Sequence, residues 1–518
     1  MYTINKLILH NFKRFRDLEI NLNPEKNIFI GDNESGKSSI LQAIELVARG
    51  SRHRVEEISL ERLFNVQAIE EFMSGARRCQ DLPEMRVELW LDNISVDLQG
   101  ANNSKNDPHA NGIKLLVKPD ERFSNQIMQI LASGQDLFPI EYYCVEFDTF
   151  AGVPYTAHNK WIHSVFIDNS QIGSPYAMRE YVHRIYTGKV TDEDRINNRH
   201  EYHKSKLDFQ HRILDQFSTS IAPYSFTIRE SSDDNIETDI SLLDNNIPIE
   251  NKGTGEQCFI KTDLALNSNV NAIDMVLIEE PETHLCYTKT LKLIEKINHS
   301  QNRQLFISTH SDLIATRLDL RKCMLLNSSN TAAISMAALT EDTAKFFMKA
   351  PDNNMLQFVL SKKVILVEGD AEFILMEAMY QNTVQKNLSD SEVGVIAVDG
   401  KCFKRYLEIA KLLNIKVAVI TDNDKNYDNN ITANYADFVT DNSRVFSDTD
   451  NNRYTFEVCL EADNKALLAG IFNNLRTNTV LEFMIANKAE AAYRILVSKG
   501  NDIAVPQYIQ VAIRWIDA

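Results

Sequence analysis

Residues 29–47, FIGDNESGKSSILQAIELV, pass from an apolar strand through a glycine-containing turn into a helical pattern. Within them Gly31-Asp32-Asn33-Glu34-Ser35-Gly36-Lys37-Ser38 fits G-x-x-x-x-G-K-S, in the strand–turn–helix setting that this pattern requires. The glycines let backbone N–H groups wrap a phosphate, and the helix N-terminus adds the positive end of its dipole. Lys37 is expected to supply charge to the β- and γ-phosphates and Ser38 to ligate Mg²⁺. Asn33, Gly36 and Ser39 complete the expected ATP contacts.

Further segments suit the same cradle. MVLIEEPETHL (275–285) ends an apolar strand in Glu279-Glu280. Glu279 is expected to act on the nucleotide's metal through water, and Glu280 to be the general base. LFISTHS (305–311) sets His310 after a strand, either as a contact to the γ-phosphate and its attacking water or as a structural residue. NKGTGEQ (251–257) puts Thr254 and Gly255 in an N–H-rich turn at a helix start, suited to a phosphate or to simple capping.

A second acidic pattern lies in VILVEGDAEFILMEAM (364–379) and VAVITDNDKN (417–426). Glu368 ends a strand, Glu372 lies four residues on at the start of a helix, and Asp422-x-Asp424 ends another strand. In a parallel sheet the strand C-termini converge on one crevice. Several carboxylates gathered there repel one another unless divalent cations intervene, and hard oxygen ligands favour Mg²⁺ or Mn²⁺. Two such ions about 4 Å apart can clamp the attacking and leaving oxygens of a phosphodiester.

The N-terminal segments, with the pattern NFKRF at 11–15, resemble the ABC-type ATPases of the RecF and SMC-like group. That resemblance implies that GTGEQ closes over ATP held by a second head, so that the protein forms a homodimer or a higher homo-oligomer. Thr254 stands where the signature has Ser. Gln171 is the available Q-loop residue. The order E-G-x-x-E, then D-x-D, resembles the TOPRIM fold of topoisomerases, primases and certain nucleases. Both halves together resemble the OLD (overcoming lysogenisation defect) endonucleases, including the Gabija nuclease type. The resemblance implies that Thr455 and Glu457, a [S/T]-x-E element, complete the metal site. It also implies that Lys488, or failing that Lys499, stabilises transition-state charge. Asp399 is a further strand-end acid, either supporting the site or merely in a turn.

The chain is accordingly expected to be α/β. An ABC-type (RecF/SMC-like) ATPase domain over 1–345 would carry a helical insertion at about 175–217, read as a solvated face or a DNA-facing arm. A TOPRIM nuclease domain with a C-terminal helical region would cover 346–518. A length of 518 residues calls for more than one core. The net charge of −17 argues against a protein that simply coats nucleic acid, though not against a nuclease with a local basic groove. Seven scattered cysteines without C-x-x-C fit reduced thiols in a cytoplasm. No long apolar run or secretory signal is expected.

The function expected is an ATP-regulated, metal-dependent DNA endonuclease of anti-phage defence. The alternatives are a non-cleaving DNA clamp and a topoisomerase, which needs a tyrosine nucleophile. By the resemblance, partners are DNA, ATP, and a helicase or a retron reverse transcriptase–msDNA complex.

Overall fold

The computed structural model describes residues 2–133, 136–169, 182, 186, 190–218, 226–228, 236–267, 273–300, 303–327, 332–350, 354–398, 402–473 and 479–518. The chain forms two compact units: Met1–Thr309 with Ser328–Ala333, and His310–Asn327 with Ile334–Ala518.

In the first unit an antiparallel sheet has the order β2-β1-β4-β5-β6, from β1 (Ile4–Phe12), β2 (Phe15–Asn21), β4 (Met85–Leu91), β5 (Gly112–Pro119) and β6 (Tyr143–Thr149). Along β1, Leu7 and Leu9 are fully buried while Lys6 and Ile8 are only half-buried, the alternation of a strand with one covered face. A second run of strands is parallel: β3 (Lys26–Gly31), β9 (Gln304–Ser308), β8 (Met275–Glu279) and β7 (Ser164–Asp168), in that order. Met275–Ile278 and Leu305–Ile307 are buried without alternation, as strands covered on both faces require. Helices of this unit include α1 (Lys37–Arg49), α2 (Asp192–Phe209), α3 (Thr254–Asn267) and α4 (Tyr287–His299). The helical stretch expected at 175–217 is present from Asp192. Most of 175–189, and Gln171, lie outside the described residues.

Gln304 is one of the side chains that tie the two sheets, as is Asp274, whose Oδ1 accepts from Tyr2 N (2.9 Å). Gln304, fully buried at the start of β9, accepts from Ile4 N (2.9 Å) and donates to Ile4 O (2.7 Å) and Asn23 O (2.8 Å).

The second unit starts with α5 (Asp312–Arg317), α6 (Glu341–Lys349) and α7 (Met355–Leu360). Segment 340–361, which reads as a polar boundary, is therefore largely helical. Its polar residues bond within this unit: Thr340 N and Thr343 Oγ1 donate to Glu408 at 2.7 and 2.6 Å. Its aromatics Phe347 and Phe358 pack edge-on against Tyr406. For that reason the compact units divide earlier than 345/346.

A parallel sheet follows in the order β11-β10-β12-β13, from β10 (Lys363–Val367), β11 (Val393–Ala397), β12 (Lys416–Ile420) and β13 (Ser443–Phe446). α8 (Asp370–Val384) follows β10, and α9 (Phe403–Leu413) precedes β12. α10 (Phe456–Asp463), α11 (Lys488–Lys499) and α12 (Gln507–Asp517) close the unit. Its core joins Ile365 and Val367 of β10 to Leu375 and Met379 of α8, Phe456 and Leu460 of α10, Ile495 of α11 and Ile509 and Ile513 of α12.

Gln304→Leu would take this partner from the buried N–H and carbonyl of Ile4, at about 1–3 kcal/mol each, while Asn23 O keeps Asn27 Nδ2 (2.8 Å). Denaturant unfolding of the ATPase unit should show a loss of roughly 2 kcal/mol or more. An unchanged midpoint would contradict the role given to Gln304.

Candidate functional sites at the ends of parallel strands

In the first unit, β3 delivers the turn 31–36 to the start of α1. Gly36 has φ 98°, and a Cβ there would lie 2.4 Å from Phe15 Cζ and 2.8 Å from Arg14 Cδ. Only glycine fits, because the NFKRF corner packs directly under the turn. The Arg14 guanidinium donates to the Glu34 carbonyl, fixing a residue that also has positive φ, 63°. Lys37 is buried, and its ammonium donates to the carbonyls of Gly31 and Asp32, each at 2.9 Å. Burial lowers its pKa, against the pull of Glu280, Asp32, Glu279 and Glu282. Asn33 is exposed in the turn, and Ser38 and Ser39 follow in the first turn of the helix.

The acidic strand lies beside this turn. Burial raises the Glu279 carboxyl, a hydrogen bond from the Ser38 hydroxyl lowers it, and Asp168 raises it further. Ser38 and Glu279 are thus joined as a shared metal site would need. Glu280 has φ 48°, a strained conformation for its residue type. Its N–H donates to Ser308 O (3.0 Å), and its carbonyl accepts from Asn169 Nδ2 (3.1 Å). Burial and the neighbouring Glu282 push the Glu280 carboxyl well up, so it holds a proton more readily than an ordinary glutamate. Thr309 Oγ1 donates to Glu282 at 2.7 Å, and His310 follows, exposed.

Thr254 and Gly255 open α3 as expected. A Cβ on Gly255 would lie 2.1 Å from the His284 carbonyl oxygen, so this turn rests on the loop that follows the acidic strand. Motif reading gave no role to Lys13, although it lies in NFKRF, and passed over Asp168 and Asn169. Burial lowers the Lys13 pKa and Glu279 raises it, which places this lysine at the acidic strand. Asp168 pairs in register with Glu279, at the end of a strand with no motif of its own.

In the second unit, β10 and β12 are neighbours, so Glu368 and Asp422 emerge side by side. Glu368 Oε1 accepts from the Thr421 hydroxyl and from Asp422 N (2.9 Å). Asp422 Oδ1 accepts from Phe456 N (2.8 Å) at the start of α10, so the strand end and the helix are joined. Glu372, one turn into α8, is 6% exposed, Asp422 8% and Glu457 2%. Burial together with Glu368, Glu372 and Glu457 pushes the Asp422 carboxyl up to about 8. Burial, with Glu457 and Glu368, pushes Glu372 to about 7.

Among the described residues, Lys488 is the cation that answers them. Lys488 Nζ lies 3.0 Å from Glu457 Oε1. Burial works against its charge, but Glu457, Asp422 and Glu372 hold its pKa above the ordinary value. Neither Glu457 oxygen accepts a well-directed hydrogen bond, although both are buried.

Glu368, Glu372, Asp422, Glu457 and Lys488 therefore come together. Asp424 is exposed, with φ 47°, its N–H donating to Tyr454 O (3.2 Å). The Thr455 oxygen caps α10, accepting from Val458 N at 3.4 Å. Asp399 lies outside the described residues. Among the described residues no three acidic, histidine or cysteine side chains close tightly on one point. The donor set still suits a divalent cation: Glu457 brings two buried oxygens of which only Oε1 lies near a donor, Lys488 Nζ, and Glu368 and Asp422 each engage only one oxygen in the bonds above.

Phosphate cradle and strand-end acids define an ATPase joined to a nuclease-type domain. Residues 1–134 match the AAA ATPase domain model, and residues 359–424 match the TOPRIM domain model of overcoming lysogenization defect protein-like chains. The chain thus carries an AAA ATPase domain followed by an OLD-like TOPRIM domain.

It is 33% identical over 51 residues to the DNA replication and repair protein RecF of Listeria welshimeri, 10% of this chain and 14% of that one. It is 29% identical over 102 residues to RecF of Limosilactobacillus reuteri, 20% and 24% of the two lengths. These curated relatives are matched over less than a quarter of their length. The C-terminal region of the Burkholderia pseudomallei OLD protein is 20% identical, covering 30% of this chain and 97% of that chain, with a TM-score of 0.26. Among the described residues no helix is long and apolar enough to cross a membrane.

An acid whose folded-state pKa is raised keeps a proton that the unfolded chain releases, so the stability of the fold falls as pH climbs from the ordinary carboxylate range to its own pKa. For Asp422 and Glu372 that window runs up to about 8 and about 7. Metal-chelated protein should lose thermal stability across it, and Asp422→Asn should flatten the slope. A slope unaltered by Asp422→Asn would contradict this electrostatic reading.

Proposed function

We propose that the protein is an ATP-regulated, divalent-metal-dependent DNA endonuclease that hydrolyses phosphodiesters by a two-metal mechanism in anti-phage defence. The observation that carries this reading is the buried trio Glu372, Asp422 and Glu457 with the half-buried Glu368, at adjoining strand and helix ends, with Lys488 at its edge.

Four carboxylates in low-dielectric surroundings repel one another by several kcal/mol unless protonated or bound to cations. Glu368, Asp422 and Glu457 would hold the ions, with Glu372 behind them. Asp424 and Thr455 would join after side-chain rotation. The ions, when bound, supply an activated water and charge neutralisation at the phosphate. Lys488 is half-exposed, so its ammonium can turn from Glu457 toward a phosphate oxygen and balance transition-state charge.

In the ATPase unit, Lys37, the turn 31–36 and Ser38 would bind the nucleotide's phosphates and magnesium. Glu279 would receive the metal's water. Glu280 would accept the proton of the attacking water, and His310, which follows Thr309 in the chain, would contact the γ-phosphate or position that water. Thr254 and Gly255 would close on ATP held by a second copy. Closure driven by nucleotide would then make DNA cleavage conditional on nucleotide state. A helicase or a retron reverse transcriptase–msDNA complex suits such a gated nuclease as partner, in the cytoplasm.

Supercoiled plasmid incubated with Mg²⁺ or Mn²⁺, crossed with ATP, ADP and a non-hydrolysable analogue, tests the reading. Nicking should require metal and respond to nucleotide. Asp422→Ala should lower cleavage by at least about a thousandfold, the scale of removing a central electrostatic element, and leave ATP binding intact. Lys37→Ala should abolish ATP binding. Metal-independent binding of plasmid without nicking would favour the clamp.

A further inference from the structure

Asn423, the residue between the two aspartates of D-x-D, carries no charge and takes part in none of the chemistry above. It is nonetheless 1% exposed, more deeply buried than either aspartate. Its Nδ2 donates to the carbonyls of Asp448 (2.8 Å) and Asp450 (3.1 Å), with a longer shared contact to Arg453 O (3.4 Å). Its Oδ1 accepts from Lys425 N at 2.8 Å, and its own carbonyl accepts from Asn430 Nδ2 at 2.9 Å. The amide orientation is therefore set from both ends, by carbonyls on one side and an N–H on the other.

The segment it grips leads directly to the other half of the acidic group. Residues 448–455 run from the end of β13 into α10, which carries Glu457. Arg453 braces this segment, pairing with Asp448 at 2.6 Å and with Asp463 at the end of α10 at 2.7 Å. On either side of Asn423 the same two pieces of chain meet again: Asp422 Oδ1 takes the Phe456 N–H, and Asp424 N donates to Tyr454 O. Asn423 is the buried middle strut of three ties between the D-x-D turn and the chain bearing Glu457. The turn itself is strained, with Asp424 at φ 47° and Lys425 at φ 66°, and such backbone persists only where its surroundings hold it.

We propose that Asn423 is a positioning residue for the divalent cations: it sets the separation of Asp422 and Glu457 by locking the 448–455 segment to the end of β12. This rests on the metal-site reading of the acidic group. Serine or alanine at 423 would keep the D-x-D motif and lose the spacing. Aspartate would keep the volume and the bond from Lys425 N, but would aim an acceptor at three carbonyls.

The test is Mn²⁺ binding to the nucleotide-free, full-length protein, followed by the electron paramagnetic resonance of free Mn²⁺, with Glu457→Gln as the blank. Asn423→Ala and Asn423→Asp should each weaken the affinity by roughly ten- to a hundredfold, the range for residues that orient metal ligands. ATP affinity and the far-ultraviolet circular dichroism should stay as in the parent. Parent-like Mn²⁺ affinity in a folded variant of either kind overturns the assignment to Asn423. A parent protein that binds no more Mn²⁺ than Glu457→Gln overturns the metal-site reading itself, which separates the two failures. Should Asn423→Ala not fold, Asn423→Asp alone decides, because it preserves the packing volume.

Discussion

The structure of the second unit depends on keeping like charges together. Glu368 and Asp422 leave adjacent parallel strands, where the sheet brings their backbones within one hydrogen-bonded spacing. The repulsion is not avoided by spreading the side chains into solvent, since Glu372, Asp422 and Glu457 are all buried. It is borne by donors from the fold: the Thr421 hydroxyl and Asp422 N on Glu368, the Phe456 N–H on Asp422, and the Lys488 ammonium near Glu457. These leave oxygens to spare. A domain built only for stability would do better with apolar residues at such positions, so the arrangement points to a cation as the missing counter-charge.

The ATPase unit solves a related problem with the opposite sign first. Lys37 is buried at the mouth of the phosphate turn and held by two carbonyls of that turn. Around it stand Glu279, Glu280 and Glu282, at the end of a strand flanked in register by Asp168 and Ser308. The link from Ser38 to Glu279 brings a strand end and a helix start to one place. In both units the chemistry stands at the C-terminal ends of parallel strands, where backbone N–H groups of following helices and turns are available to anions and carboxylates.

Much of this was legible in the residues. G-x-x-x-x-G-K-S, the EEPETHL strand, E-G-x-x-E and D-x-D each pair an apolar run with an acid or a glycine turn, and each sits where strand meets helix or loop. What was not legible depended on tertiary neighbours. Asp168 and Asn169 end a strand with no motif and matter only because β7 lies beside β8. Segment 340–361 reads as polar until Thr340 and Thr343 find Glu408. Thr455 spends its oxygen as a helix cap, and Asp424 points its backbone rather than its carboxylate at Tyr454, because the turn after Asn423 enters the left-handed region. Spacing in the sequence cannot register such local competition for hydrogen bonds.

Anomalous diffraction from Mn²⁺-soaked crystals of the full chain addresses the central claim most directly. The account predicts Mn²⁺ peaks within coordination distance of Glu368, Asp422 and Glu457, with Lys488 displaced from Glu457. A map in which that group carries no Mn²⁺ while Lys488 keeps its pairing with Glu457 would contradict it.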